Sequence, residues 1–218
     1  MRDAVRVKIC GITRWEDGLA AARAGAHAIG FVFAPSSRRV SPEQARDIAR
    51  RLPPLLCRVG VFVDAAPDEI EQVAASVGLD AVQLHGREGP EVVEEVRRRT
   101  GCRIIKAVRA QDAADLEKLP RYGADALLLD SYHPRMAGGT GVPFPWEWVR
   151  NVPRGEGELW LAGGLRPDNV RAALEQAQPD GVDVSSGVEA APGIKDGERV
   201  RRFLREVRRF ELAAIDRA

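Results

Sequence analysis

Short apolar, β-branched runs alternate along this chain with longer stretches whose apolar positions recur every three to four residues. The runs predict strands over Val5 to Ile9, Ala28 to Phe33, Arg58 to Phe62, Ala81 to Leu84, Ile104 to Val108, Ala126 to Leu129, Leu159 to Ala162 and Val182 to Val184. The stretches between them predict helices over Trp15 to Ala24, Ser41 to Arg51, Pro67 to Val77, Glu88 to Arg99, Ala113 to Leu119 and Pro167 to Gln176, with Glu198 to Phe210 closing the chain. Ser41-Pro42-Glu43 sets a capping serine before a first-turn proline, and Arg166-Pro167-Asp168 repeats the proline signal. Between Asp130 and Trp148, glycines, prolines and aromatics blur the sixth helix into a longer loop. Alternating β and α units indicate a parallel sheet, and eight of them, with no dinucleotide fingerprint after the first strand, favour a closed α/β barrel, the (β/α)8 or TIM barrel, over an open sheet.

Period-two alternation assigns strand residues to faces. Lys8 and Cys10 share one, as do Gln83 and His85, then Ala126, Leu128 and Asp130, and then Asp183 and Ser185. Polar groups on an inward face are costly unless paired or open to a site. Two readings stand for Lys8, Lys106 and Asp183: an internal ionic network, or direct participation in chemistry.

The chain has 218 residues, 44% of them hydrophobic, enough for one substantial core, so one domain over residues 1–218 is expected. Lys and Arg number 33 against 32 Asp and Glu, a net charge of +1 without long single-sign blocks. That balance argues against nucleic acid or an acidic membrane surface, and leaves room for a small anionic ligand. A strand begins almost at the first residue and no apolar run nears the ~20 residues of a membrane span, so a cytoplasmic protein is expected. Three cysteines, none in a CxxC pair, argue against a disulfide framework or a structural zinc.

Cys10 ends the first strand and precedes Gly11, at the end where barrels of this kind do their chemistry; Cys57 and Cys102 begin their strands. It is either a small buried hydrophobe or, once ionised, a base or nucleophile. Asp130 ends the sixth strand behind an apolar stem of leucines. It fits either a loop-starting aspartate bonded to backbone amides or an acid whose pKa the apolar stem raises. Arg39, in the loop after strand two, offers a planar fork for a carboxylate. Gly163 and Gly164, after strand seven, leave backbone N–H groups bare to an anion. Asp183, Ser185, Ser186 and Gly187 follow strand eight, where a short extra helix is expected to begin. Phosphate sites made by the loops after strands seven and eight recur in this fold.

Several segments together carry a more specific likeness. Lys8-Ile9-Cys10-Gly11-Ile12-Thr13, Gly30-Phe31-Val32-Phe33, Gly60-Val61-Phe62-Val63, Val82-Gln83-Leu84-His85-Gly86 and Leu128-Leu129-Asp130 occur in order. They are followed by Gly138-Gly139-Thr140-Gly141, Ala162-Gly163-Gly164-Leu165 and Asp183-Val184-Ser185-Ser186-Gly187-Val188-Glu189. From Val5 to Phe210 the chain resembles the phosphoribosylanthranilate isomerase family of tryptophan biosynthesis. The resemblance implies a (β/α)8 barrel that performs an Amadori rearrangement with no metal or organic cofactor. It implies Cys10 as general base, Asp130 as general acid and Arg39 as the holder of the anthranilate carboxylate. Its small-molecule partner would be a phosphosugar, with no nucleic acid and no membrane, and the enzyme a monomer or homodimer. Lys8, two residues from Cys10 on one face, is expected to favour the thiolate. Val142 stands where the family often has lysine.

Rival enzymes on the same barrel fit less well. A metal-dependent epimerase would want several strand-end histidines, but only His85 ends a strand. A Schiff-base aldolase would want a lysine at the mouth, and the related isomerase of histidine biosynthesis pairs two aspartates where this chain has Cys10 and Asp130. A non-catalytic phosphosugar-binding protein is the alternative of another class.

Overall fold

The computed structural model describes residues 4–109, 122–130, 146–150, 152 and 157–215. Eight parallel strands close into a barrel in sequence order, with β1 (Arg6–Cys10) returning to pair with β8 (Gly181–Val184). Between these lie β2 (Ala28–Val32), β3 (Cys57–Phe62), β4 (Ala81–Leu84), β5 (Arg103–Val108), β6 (Ala126–Asp130) and β7 (Glu158–Ala162). Each expected strand is present, with ends displaced by at most one residue.

The helices Trp15–Ala24 and Pro67–Val77 match their expected bounds, and each stops at a left-handed glycine, Gly25 or Gly78. The helix Pro42–Ala49 is shorter than expected at both ends; Ser41 and Gln44 cap it reciprocally. The helices Pro90–Thr100 and Gly197–Ile215 are displaced from their expected bounds, the latter running five residues past Phe210. The helix Val170–Ala177 starts three residues after Pro167, because Asn169 Oδ1 accepts from the Arg166 backbone N–H at 2.8 Å and holds those residues in a turn. The helix expected over Ala113 to Leu119 and the Gly138 to Val142 segment lie outside the described residues. No helix among the described residues is long and apolar enough to cross a membrane.

Strand alternation sorts the core into two layers. Outward residues such as Val7, Ile9, Ile29, Phe31, Val82, Leu84 and Leu129 pack beneath the helices. Inward residues of the lower barrel, Ala28, Val59, Ala81, Ile105, Ala126 and Trp160, fill its interior. Above them the inward positions become polar: Lys8, Gln83 and Asp183 are all buried. Lys106 departs from the expected network because it shares the outward parity of Ile104. It leaves the barrel interior to bind Glu88 at 2.7 Å and the Gly86 carbonyl at 2.8 Å.

Beyond β8, the expected extra helix is a single 3₁₀ turn, Ser186–Val188. It runs into a small antiparallel hairpin, β9 (Glu189–Ala191) and β10 (Ile194–Lys195).

Candidate active site

The last inward residues of β1 and β6 are Cys10 and Asp130, so both stand at the C-terminal mouth of the barrel. Beneath Cys10, Lys8 Nζ donates to Asp183 Oδ2 and to Gln83 Oε1, both at 2.9 Å. Gln83 Nε2 lies 2.9 Å from His85 Nδ1, and His85 Nε2 lies 3.1 Å from Asp130 Oδ2. A chain of side-chain hydrogen bonds thus crosses the barrel from β8 through β1 and β4 to β6. Asp183 Oδ1, equally buried, finds no hydrogen-bond partner among the described residues.

Gly30 of β2, paired with Cys10 in register, makes room for this arrangement. A methyl group there would sit 2.8 Å from Cys10 Sγ and 3.0 Å from Lys8 Cε, well inside van der Waals contact. Burial pushes the Cys10 thiol up, and the Lys8 ammonium lowers it only in part, while the Asp183 carboxylate works against that help. The Lys8 ammonium favours the thiolate, as expected, but burial outweighs it in the free protein. Lys8 pairs with Asp183 and also acts on the sulfur, where it is the strongest influence toward the thiolate.

The two phosphate-type segments meet. A side chain on Gly187 would run into the Leu165 carbonyl, so only glycine lets the turn after β8 lie against the loop after β7. In that loop Gly163 and Gly164 both adopt positive φ, and the space where a Gly164 side chain would stand is open. Asn169 Nδ2 donates to the Gly164 carbonyl at 3.0 Å and steadies the turn.

Of the two arginines after β2, Arg38 is committed. It crosses Gly11, where a methyl group would lie 2.6 Å from its Cδ, and makes a bidentate pair with Glu189 of the hairpin at 2.8 and 2.7 Å. Arg39 is exposed, its backbone bridged to Val32 at the end of β2, and among the described residues its guanidinium takes no hydrogen bond. Lys195 Nζ completes the cluster, donating to Glu189 Oε1 at 2.8 Å and to the Ser185 carbonyl at 3.3 Å. Burial would push the Glu189 carboxyl up, but Arg38 and Lys195 outweigh it and hold it at about 2.

A free glutamate titrates near ~4.3, so the Glu189 pairs favour the fold fully above that value, and their contribution is lost as pH falls toward 2. Urea midpoints measured from pH 6 to pH 2 are expected to fall less steeply for Glu189→Gln than for the native protein. Equal slopes would show that the cluster does not couple to folding.

Sequence reasoning singled out Cys10, Asp130, Arg39, Gly163, Gly164, Asp183, Ser185, Ser186 and Gly187, and all but Arg39 converge directly on the mouth or on the paired loops. It gave no role to Gln83, His85, Arg38, Glu189 or Lys195. Alternation already set Gln83 and His85 on the inward face, and that signal suffices to find them; nothing local pairs Arg38 with Glu189.

Residues 7–206 match the family model of N-(5'-phosphoribosyl)anthranilate (PRA) isomerase. The N-(5'-phosphoribosyl)anthranilate isomerase of Rubrobacter xylanophilus is 53% identical over 201 residues, 91% of this chain and 97% of that protein. That of Geobacter sulfurreducens is 50% identical over 205 residues, 94% of this chain and 98% of its own. The crystal structure of phosphoribosyl anthranilate isomerase from Thermotoga maritima superposes with a TM-score of 0.85 at 46% identity, covering 94% of this chain and 98% of that one. Another, in complex with reduced 1-(o-carboxyphenylamino)-1-deoxyribulose 5-phosphate, gives 0.82 at 44% identity with the same coverage. On matches of this length and identity, the chain belongs to the N-(5'-phosphoribosyl)anthranilate isomerase family.

Proposed function

We propose that the protein isomerises N-(5'-phosphoribosyl)anthranilate to 1-(2-carboxyphenylamino)-1-deoxyribulose 5-phosphate, with Asp130 as general acid and Cys10 as general base. The observation that carries the assignment is their placement: each is the last inward residue of its strand, at the same end of one barrel, on β6 and β1. As a step of tryptophan biosynthesis, the reaction belongs in the cytoplasm.

The substrate is an N-glycosylamine, and opening its furanose ring needs a proton on the ring oxygen as the C1–O bond breaks. Protonated Asp130 supplies that proton, while the nitrogen lone pair forms the C1=N bond of a protonated Schiff base. The cationic imine acidifies the C2 hydrogen. Cys10 as thiolate removes it, the C–H electrons become the C1–C2 double bond, and the C1=N electrons return to nitrogen. The enolamine then takes a proton at C1 and loses its hydroxyl proton to give the ketone. Acid and base must start in opposite charge states, so their surroundings have to separate them. The burial that raises the Cys10 thiol makes its deprotonation the demanding half.

Both ends of the substrate are non-reacting handles whose binding aligns the sugar. Backbone amides of Gly163, Gly164, Ser186 and Gly187 suit the phosphate, with Ser185 beside them. Asp183 Oδ1 is a buried acceptor suited to a sugar hydroxyl. Arg39 suits the anthranilate carboxylate, since Arg38 is already held by Glu189.

Purified protein mixed with freshly made phosphoribosylanthranilate is expected to consume it, with loss of the substrate's fluorescence. In Arg39→Ala, loss of a charged hydrogen-bond pair should raise KM by about 10- to 100-fold with a smaller change in kcat. No turnover by the native protein would overturn the proposed activity. A fall in kcat alone for the variant would remove Arg39 from carboxylate binding.

A further inference from the structure

The polar chain beneath the mouth has a direction, and it is set at the lysine end. An ammonium group carries three donors and no acceptor. The Gln83 atom 2.9 Å from Lys8 Nζ is therefore the carbonyl oxygen, whose other partner in the chain lies beyond the amide. The far end of that amide is an NH₂ group, which only donates. At 2.9 Å from it, His85 Nδ1 must present a lone pair. The ring then carries its proton on Nε2 and donates it to Asp130 Oδ2 at 3.1 Å. Asp183 fixes the origin by holding Lys8 in place at 2.9 Å.

From this geometry we infer that Gln83 and His85 are positioning residues for the acid: they lock the imidazole in its Nε2–H tautomer, commit Asp130 Oδ2 to accepting, and so seat the transferable proton on Oδ1. The inference rests on Asp130 being the general acid of the proposed isomerisation. A carboxyl oxygen that accepts from N–H behaves as the carbonyl oxygen, and the hydroxyl proton belongs to the other one. When that proton passes to the ring oxygen of the substrate, negative charge develops on the carboxylate. The His85 N–H is then bonded to an ion, and charge-assisted bonds are roughly twice as strong as neutral ones. The bond therefore strengthens as the proton leaves, which is the condition for lowering the barrier. The opposite tautomer would aim a bare Nε2 at Asp130 and draw its proton toward the imidazole, away from substrate.

The chain contains only three histidines, His27, His85 and His133, which makes the tautomer readable. In uniformly ¹⁵N-labelled protein without substrate, long-range ¹H–¹⁵N spectra are expected to show His85 with Nε2 protonated and Nδ1 bare, its signals identified by their loss in His85→Gln. Gln83→Glu keeps the shape but replaces the donor facing Nδ1 by an acceptor. It is expected to move the proton to Nδ1 and to lower kcat on the order of 10²-fold with little change in KM. His85→Gln, whose amide N–H can reach the place of Nε2, should retain more of kcat than His85→Leu. A native His85 protonated at Nδ1 overturns the inference without any variant. So does a Gln83→Glu protein whose tautomer has switched while kcat has not. Native protein that shows the Nε2–H tautomer but does not convert phosphoribosylanthranilate would instead overturn the proposed activity.

Discussion

Asp130→Asn is expected to lower kcat for phosphoribosylanthranilate by about 10²- to 10⁴-fold, the range that a positioned general acid contributes. Asparagine keeps the size of the side chain and can still accept from His85 through its carbonyl oxygen, so the polar chain under the mouth survives. It has no proton to give to the ring oxygen. The loss should fall on kcat and on kcat/KM alike, the mark of an interaction made only in the transition state. Cys10→Ala is expected to show a loss of similar size by removing the proposed base, and because the proposal assigns the two residues to successive proton transfers, either alone should suffice to stop turnover. Circular dichroism and the urea midpoint check that both variants are folded. Asp130→Asn retaining more than a tenth of native kcat would remove Asp130 from the role of acid.

Lys8→Met is expected to destabilise the fold by about 3–5 kcal/mol, the usual consequence of breaking a buried pair from one side. Lys8 is fully buried and its partner Asp183 nearly so, and Asp183 Oδ1 already lacks a hydrogen-bond partner among the described residues. Removing the ammonium leaves an uncompensated carboxylate inside the barrel. The double variant Lys8→Met, Asp183→Leu replaces both charges by apolar groups and should recover much of the loss, since a buried pair is often no better than a well-packed apolar one. Denaturant unfolding of the four proteins in the cycle measures the coupling. A Lys8→Met protein as stable as the native one would show that the pair does not hold the barrel together. The double variant is expected to stay inactive, separating what the pair does for stability from what it does for the site.

The strands were legible because each is buried on both faces. Such a strand reads as an apolar run, and its ends were misplaced by no more than a residue. Alternation then carried the site as far as it could. It placed Cys10, Asp130 and Asp183 on the inward face, and it explains why Lys106, of opposite parity, finds Glu88 outside instead of Asp183 within. What alternation cannot carry is the balance between burial and charge at one atom. Lys8 is two residues from Cys10 and favours its thiolate as expected, but burial outweighs it, and Asp183 from β8, far along the chain, works against it. The hairpin beyond the last barrel loop is not legible for a related reason. Ser186 opens the short extra helix as a single 3₁₀ turn, and the chain then folds back into a hairpin whose Glu189 is held by both Arg38 and Lys195.

The pairing of Arg38 with Glu189 spans 151 positions of sequence and lies over Gly11, so it ties the beginning of the barrel to its end. In a chain made from the N-terminus forward, the loop that carries Arg38 and Arg39 emerges early and must wait for nearly the whole of synthesis before its anchor exists. The loop with Arg39, proposed above to hold the anthranilate carboxylate, is therefore among the last parts of the molecule to be anchored, and a nascent chain stalled before Glu189 has all eight strands of the barrel but not the partner that Arg38 pairs with.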